Sequence, residues 1–291
     1  MNNTFSFSVN FSGITVRFSL PSKIIIPDFF SDLLCEDTDT PDAEYQVQLL
    51  NTPLCPEGYA VLEQKDFCVY NTPDGILRIY PPLTADDGCQ VACLMRESGR
   101  NVMYYPASMW YRYKKYWHCT HLICGELLLY YQNAFLLHSS VVEINGKALL
   151  FCGESGAGKS TQASLWQQHK DARILNGDRC VIRHTNGIFY GGGSPWSGTS
   201  GIYCKDYYPI AGIIMLKKAE ENSITPLGAK AFSALLGQTT LNNWDKAFVE
   251  KTSSYIVHIC ETIPIFELSC LPDKTATDLV YDTIFKKEES L

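Results

Sequence analysis

The chain lacks any run of about 18 apolar residues, so no α-helical membrane span is expected. It lacks a basic excess: 24 Lys and Arg stand against 31 Asp and Glu, a net charge of −7. That balance speaks against a nucleic-acid-binding face. The first residues, MNNTFSFSVNFSG, carry no positive stretch and no continuous apolar core of a secretory leader. They alternate apolar and polar as a strand does, and a cytoplasmic protein is the expectation. There is no repeat and no low-complexity tract. Twelve cysteines are present, none in a CxxC pair, and several, such as Cys152 and Cys260, sit in apolar runs as small core residues.

What is there supports a packed core. Hydrophobic residues make up 46% and charged residues 19% of 291, which excludes a disordered chain. Two local clusters have residue types suited to other chemistry. Tyr111–Tyr116 (YRYKKY) reads as a solvated helix face rather than a nucleic-acid or membrane contact. His118, Cys119, His121 and Cys124 could share a helix face as zinc ligands, but a half-buried helix with locally bonded histidines is the preferred reading.

The strongest signal is Gly153-Glu154-Ser155-Gly156-Ala157-Gly158-Lys159-Ser160, followed by Thr161. It fits the phosphate-binding pattern G-x-x-x-x-G-K-[ST] at every fixed position. Lys147–Cys152 before it reads as a buried strand and Thr161–His169 after it as a helix, which is the context the motif requires. Glycines let backbone N–H groups approach a phosphate, and the helix start adds unpaired donors and a positive dipole end. Lys159 is the cation for the β- and γ-phosphates of a nucleoside triphosphate, Ser160 offers a hydroxyl to Mg²⁺, and Thr161 is placed for the α-phosphate.

Residues 1–115 read as a β-rich, antiparallel N-terminal module with no catalytic constellation. Its candidate strands are Phe5–Val9, Ile14–Phe18, Tyr45–Leu50, Ala60–Leu62, Phe67–Tyr70, Ile76–Ile79, Val91–Met95 and Val102–Tyr105. Residues 116–291 read as the nucleotide-binding domain. Trp110–Asn133 is expected to be one long helix or two short ones. Phe135–Ile144 then forms a strand that turns at Asn145-Gly146 into Lys147–Cys152. Cys180–His184 and Gly187–Tyr190 read as a hairpin, Ile210–Leu216 and Ile263–Leu268 as strands, and Ala229–Leu236, Trp244–Ile259 and Lys274–Lys287 as helices. Asp178 ends a short strand after the loop's helix and is the best candidate to orient a hydroxyl, take its proton or hold Mg²⁺. The alternative is a turn aspartate, since Asn-Gly-Asp is good turn chemistry. Trp196 is read evenly as a substrate-stacking ring or a structural plug.

Four landmarks stand in order: Leu137-His138-Ser139-Ser140, the loop at 153–161, Asn176–Arg179 (NGDR) and Gly193–Gly198 (GSPWSG). Together, over about residues 115–285, they make the chain resemble the HPr kinase/phosphorylase family, within the group that includes ATP-dependent PEP carboxykinases. The resemblance implies an α+β or α/β fold with a PEP carboxykinase-like P-loop core. It implies catalytic roles for Asp178, Lys159, His138 and Arg179, with ATP held by Gly153–Thr161 and Mg²⁺ by Ser160 and Asp178. The family carries an Asp-Asp pair where this chain has Gly177-Asp178, which leaves Asp178 as the only carboxylate there. The family's HPr-binding signature is not evident. The expectation is an ATP- and Mg²⁺-dependent kinase acting on a Ser of a peptide or small protein. A nucleotide-gated binding module and a small-molecule kinase stand as alternatives. A homo-oligomer is left open by the family's ring assemblies.

Overall fold

The computed structural model describes residues 4–26, 28–81, 90–114 and 122–286. His118, Cys119, His121, Asp86 and Asp87 lie outside the described residues, as does the end of the Tyr111–Tyr116 cluster. The chain forms two compact units, Met1–Asn10 with Ile14–Gln132, and Phe11–Gly13 with Asn133–Leu291. The sequence-based division at 115/116 differs from this one by the segments 11–13 and 116–132. Among the described residues no helix is long and apolar enough to cross a membrane.

The first unit holds a nine-stranded sheet. Its strands are β1 (Phe5–Phe11), β2 (Ile14–Leu20), β3 (Leu34–Cys35), β4 (Ala43–Leu50), β5 (Tyr59–Glu63), β6 (Cys68–Thr72), β7 (Gly75–Tyr80), β8 (Val91–Met95) and β9 (Arg100–Pro106). They lie in the order β3-β1-β2-β4-β9-β8-β7-β6-β5. The expectation of an antiparallel module needs correcting: β4 runs parallel to both β2 and β9. Apolar alternation marks the strands but not their direction, and the long connections before and after β4 leave room for the crossovers that parallel pairing needs. Of the one long helix or two short ones expected over Trp110–Asn133, the described residues hold two short helices, α1 (Trp110–Tyr113) and α2 (Gly125–Tyr131). Cys124, the residue before α2, is buried.

The second unit is built on β10 (Ala134–Ile144), β11 (Lys147–Cys152), β12 (Arg173–Asn176), β13 (Arg179–Thr185), β14 (Ile188–Gly192), β15 (Tyr207–Lys218), β16 (Ser223–Pro226) and β17 (Ile265–Cys270). Its helices are α3 (Lys159–Lys170), α4 (Ala231–Leu236), α5 (Lys246–Thr262) and α6 (Lys274–Ile284). Asn145 and Gly146 both take positive φ (53° and 71°), as a two-residue hairpin turn requires, and β10 and β11 pair antiparallel around them. Asp245 and Asp273 cap α5 and α6, each accepting a backbone N–H from three residues on.

Strand alternation on β11 divides the core in two. Leu149 and Phe151 face Ala163 and Trp166 of α3 and Val280 of α6. Leu150 and Cys152 face Leu235 of α4 and Ile256 of α5. Helices therefore cover both faces of the sheet that carries β11, and Leu149, Leu150, Phe151 and Cys152 are all fully buried, which is why the segment reads as a continuous apolar run.

Two long strands each pair on two sides. The first half of β10 pairs with β13 and its second half with β11 and β12, the pairing to β11 beginning at Ser139, one residue after the last pair with β13 at His138. Likewise β15 pairs with β14 at its start and with β11 and β17 beyond it. The change of partner in β10 positions the site.

Candidate functional site

Strand β11 delivers the chain to Gly153, and α3 begins at Lys159. Between them the backbone turns through Gly156 (φ 79°) and Gly158 (φ 105°), conformations an L side chain rarely adopts. Among the described residues a Cβ at either position would meet nothing within 4 Å, so the two residues face open space, as a phosphate cradle must. Lys159 is only 8% exposed. Its Nζ donates to the carbonyls of Gly153 (2.9 Å) and Glu154 (3.3 Å), and Ser140 Oγ donates to its carbonyl at 2.9 Å. Burial lowers the Lys159 pKa, while Cys152 and Asp178 act against that shift. Ser160 and Thr161 are exposed on the first turn of α3. One side of the loop borders a cavity of about 920 Å³ that reaches Lys230, Gln238 and Glu267.

The second cluster reaches the loop through β10. His138 pairs with Arg179 on β13, and the next residue, Ser139, pairs with Cys152 at the end of β11. Ser139 N–H also donates to the Asp178 carbonyl at 3.0 Å. One step along β10 thus links the start of the glycine loop to Asp178. His138 Nε2 lies 3.3 Å from Asp178 Oδ1, and Arg179 Nε lies 3.6 Å from Oδ2. Arg179 Nη1 donates to Thr240 Oγ1 at 3.0 Å. Burial lowers the His138 pKa first, and the Lys159 charge adds to that. Asp178 pulls the other way. His138 is therefore biased to the neutral form, in which Nε2–H can be offered to the carboxylate.

The expected site residues thus fall into two neighbouring groups, Gly153–Thr161 and His138, Asp178 and Arg179, all within the second unit. Sequence reasoning missed what holds Asp178 in place. Asn176, fully buried, accepts with Oδ1 from the backbone N–H groups of Asp178 and Arg179, both at 2.9 Å. Its Nδ2 donates to Ser194 Oγ at 3.2 Å, and Ser194 Oγ donates to the Arg179 carbonyl at 2.6 Å. The NGDR and GSPWSG landmarks are therefore two sides of one hydrogen-bonded knot. The Gln238 carbonyl, which accepts the His138 N–H at 2.8 Å, carries no signal in the sequence. Trp196 packs edge-to-face on Phe11 (centroids 5.7 Å apart), which favours the structural plug.

Two glycines of the site are fixed by crowding. A Cβ on Gly198 would stand 2.8 Å from Asp178 Cβ and Cγ. A Cβ on Gly177 would stand 2.6 Å from Ser200 Cβ. Ser200 thus occupies the room a side chain at 177 would need.

Among the described residues no group of three or more His, Cys, Asp or Glu is placed to hold a metal. Mg²⁺ asks for less, one or two carboxylates with phosphate oxygens and water completing its shell. The half-exposed Asp178 carboxylate and the exposed Ser160 hydroxyl are the groups here of that kind.

No family model matches the chain, and no curated protein matches it. Among solved structures it is similar to the Hpr(Ser) kinase/phosphatase from Coxiella burnetii. That likeness has a TM-score of 0.32 and 13% sequence identity, covering 53% of this chain and 93% of that one.

Proposed function

We propose that this protein is an ATP- and Mg²⁺-dependent phosphotransferase with a PEP carboxykinase-like core. On this reading it moves the γ-phosphate onto a hydroxyl, a Ser of a peptide or small protein. The observation that carries the reading is the coupling through β10: His138 touches Asp178 while the adjoining Ser139 pairs with the residue before Gly153. A phosphate-binding loop and a carboxylate able to handle a hydroxyl stand side by side in one unit.

Phosphoryl transfer relies on positioning and charge more than on covalent help from the protein. The loop's N–H groups and the start of α3 bind the phosphates. Lys159 Nζ exchanges the Gly153 and Glu154 carbonyls for phosphate oxygens, a favourable trade for a cation held in a buried position. Asp178 orients the incoming hydroxyl and takes its proton as the new O–P bond forms and the β–γ bond breaks. His138 Nε2–H steadies one carboxylate oxygen and Arg179 the other. Arg179 also lends positive charge to the transferring group. Ser160 and Asp178 would hold Mg²⁺, which would supply charge neutralisation to the phosphates.

The test is incubation with Mg-ATP and extract of the native host, with new phosphosites read by mass spectrometry. Lys159→Ala and Asp178→Asn should each cut transfer by on the order of 10²-fold. Near-normal transfer by Asp178→Asn would remove Asp178 from the chemistry. Nucleotide-gated binding without transfer draws support from Gly177, where Ser200 leaves no room for the second carboxylate of the resembled family. Tight ATP binding with no phosphorylated product would select that reading.

A further inference from the structure

A second, smaller cavity of about 390 Å³ borders the same loop. It is lined by Gly156 to Gly158, by Thr161 and Gln162 on the first turn of α3, and by Lys218, Ala219, Cys270 and Pro272 at the ends of β15 and β17. We propose that this cavity seats the nucleobase and that Gln162 reads its amino edge, so that the site selects adenine over guanine. The inference rests on the nucleotide-binding reading above and adds where the base sits and which residue reads it.

Location gives the first argument. Phosphates seated on the loop leave the rest of a nucleotide to emerge into an adjoining space. The larger cavity lies on the Gly153 side of the loop and reaches Gln238, whose carbonyl accepts the His138 N–H. The smaller one lies on the Thr161 side, where the α-phosphate and the groups attached to it are expected. Its volume is within the roughly 300–1,000 Å³ of small-molecule sites, and Ala157, Ala219, Cys270 and Pro272 give it the apolar walls a flat ring needs.

Chemistry gives the second. Gln162 is 2% exposed, and its Nε2 donates to Cys270 Sγ at 3.5 Å. Its Oε1 is buried with no hydrogen-bond partner among the described residues. Leaving an amide oxygen in that state carries its full desolvation cost, and a ligand N–H that reaches it recovers the loss. Adenine presents an exocyclic amino donor, whereas guanine presents a carbonyl oxygen at the same ring position, setting acceptor against acceptor.

The test is calorimetric titration of the full chain with Mg-ATP, Mg-GTP and inorganic tripolyphosphate. ATP should bind at least about tenfold more tightly than GTP, the factor that about 1.4 kcal/mol provides, and GTP should resemble tripolyphosphate. Gln162→Leu should narrow the ATP-to-GTP ratio. Because Gln162 is buried, Ala219→Phe at the half-buried rim is the companion variant, and it should bring the ATP-to-tripolyphosphate ratio toward one. Equal affinity for ATP and GTP would overturn the base assignment while leaving the phosphate site intact. Failure of all three ligands to bind would overturn the nucleotide reading itself, and the base assignment with it.

Discussion

The tight approach of Gly198 to Asp178 can be isolated by a matched pair of substitutions. Gly198 and Gly201 lie in the same loop with similar positive φ values, 56° and 64°. An added Cβ at Gly201 meets nothing within 4 Å, whereas at Gly198 it meets Asp178 Cβ and Cγ at 2.8 Å. Gly201→Ala therefore carries only the backbone cost of an L residue in the left-handed region, roughly 1–2 kcal/mol. Gly198→Ala carries the same cost plus an overlap that Asp178 cannot easily escape. Its N–H is held by Asn176 Oδ1 and its carbonyl by the Ser139 N–H. Overpacking of this kind adds about 1–3 kcal/mol.

Urea unfolding should accordingly show Gly198→Ala destabilised by about 2–5 kcal/mol and Gly201→Ala by about 1–2 kcal/mol, the first exceeding the second by the overlap of about 1–3 kcal/mol, at unchanged slope. A second readout reports on the site itself. Asp178 favours protonated His138, so displacing the carboxylate should lower the His138 titration midpoint further, followed by NMR of the imidazole. Gly201→Ala should leave the midpoint alone. Equal stability losses in the two variants, or an unmoved His138 midpoint in Gly198→Ala, would refute the crowding argument.

Stability should also depend on pH in a defined window. Burial lowers the pKa of both His138 and His184, with Lys159 adding to the effect at the first and His258 at the second. The folded state resists protonation that the unfolded chain accepts near 6.5, so this contribution is complete above that pH and is lost as pH falls below it. The thermal midpoint should drop between pH 7 and 5, less steeply in His184→Phe, and a flat profile would contradict the assignment. Asp278, held down to about 2 by Lys170 and then Lys274, loses its share only at lower pH. Trp166 is fully buried against Phe151, Tyr281 and Phe285 and joins α3 to α6. Trp166→Ala should cost about 3–5 kcal/mol in urea unfolding, and a loss under about 1 kcal/mol would show that α3 does not depend on this packing.

What the sequence made legible was what short segments determine by themselves. The glycine loop, the Asn145-Gly146 turn and the buried run Lys147–Cys152 each follow from a handful of adjacent residues, and the structure has them within a residue or two of the reading. Strand direction was not legible, because β4 pairs in parallel with partners separated from it by long stretches of chain. The same limit applies inside the site. Asp178 was singled out for its type and position, yet what brings it to the loop is the change of partner at His138 and Ser139, a property of β10's neighbours rather than of β10. Asn176 and Ser194 are eighteen residues apart, and each read only as part of a landmark until the bonds between them joined the two. Gly177 shows the consequence most sharply. By sequence it is a missing carboxylate. In the structure it is a residue with Ser200 pressed against it, so Gly177→Asp alone would add a charge and a collision together. A second carboxylate at this site would need Ser200 to be made smaller at the same time, a pairwise dependence invisible to a reading that takes residues one at a time.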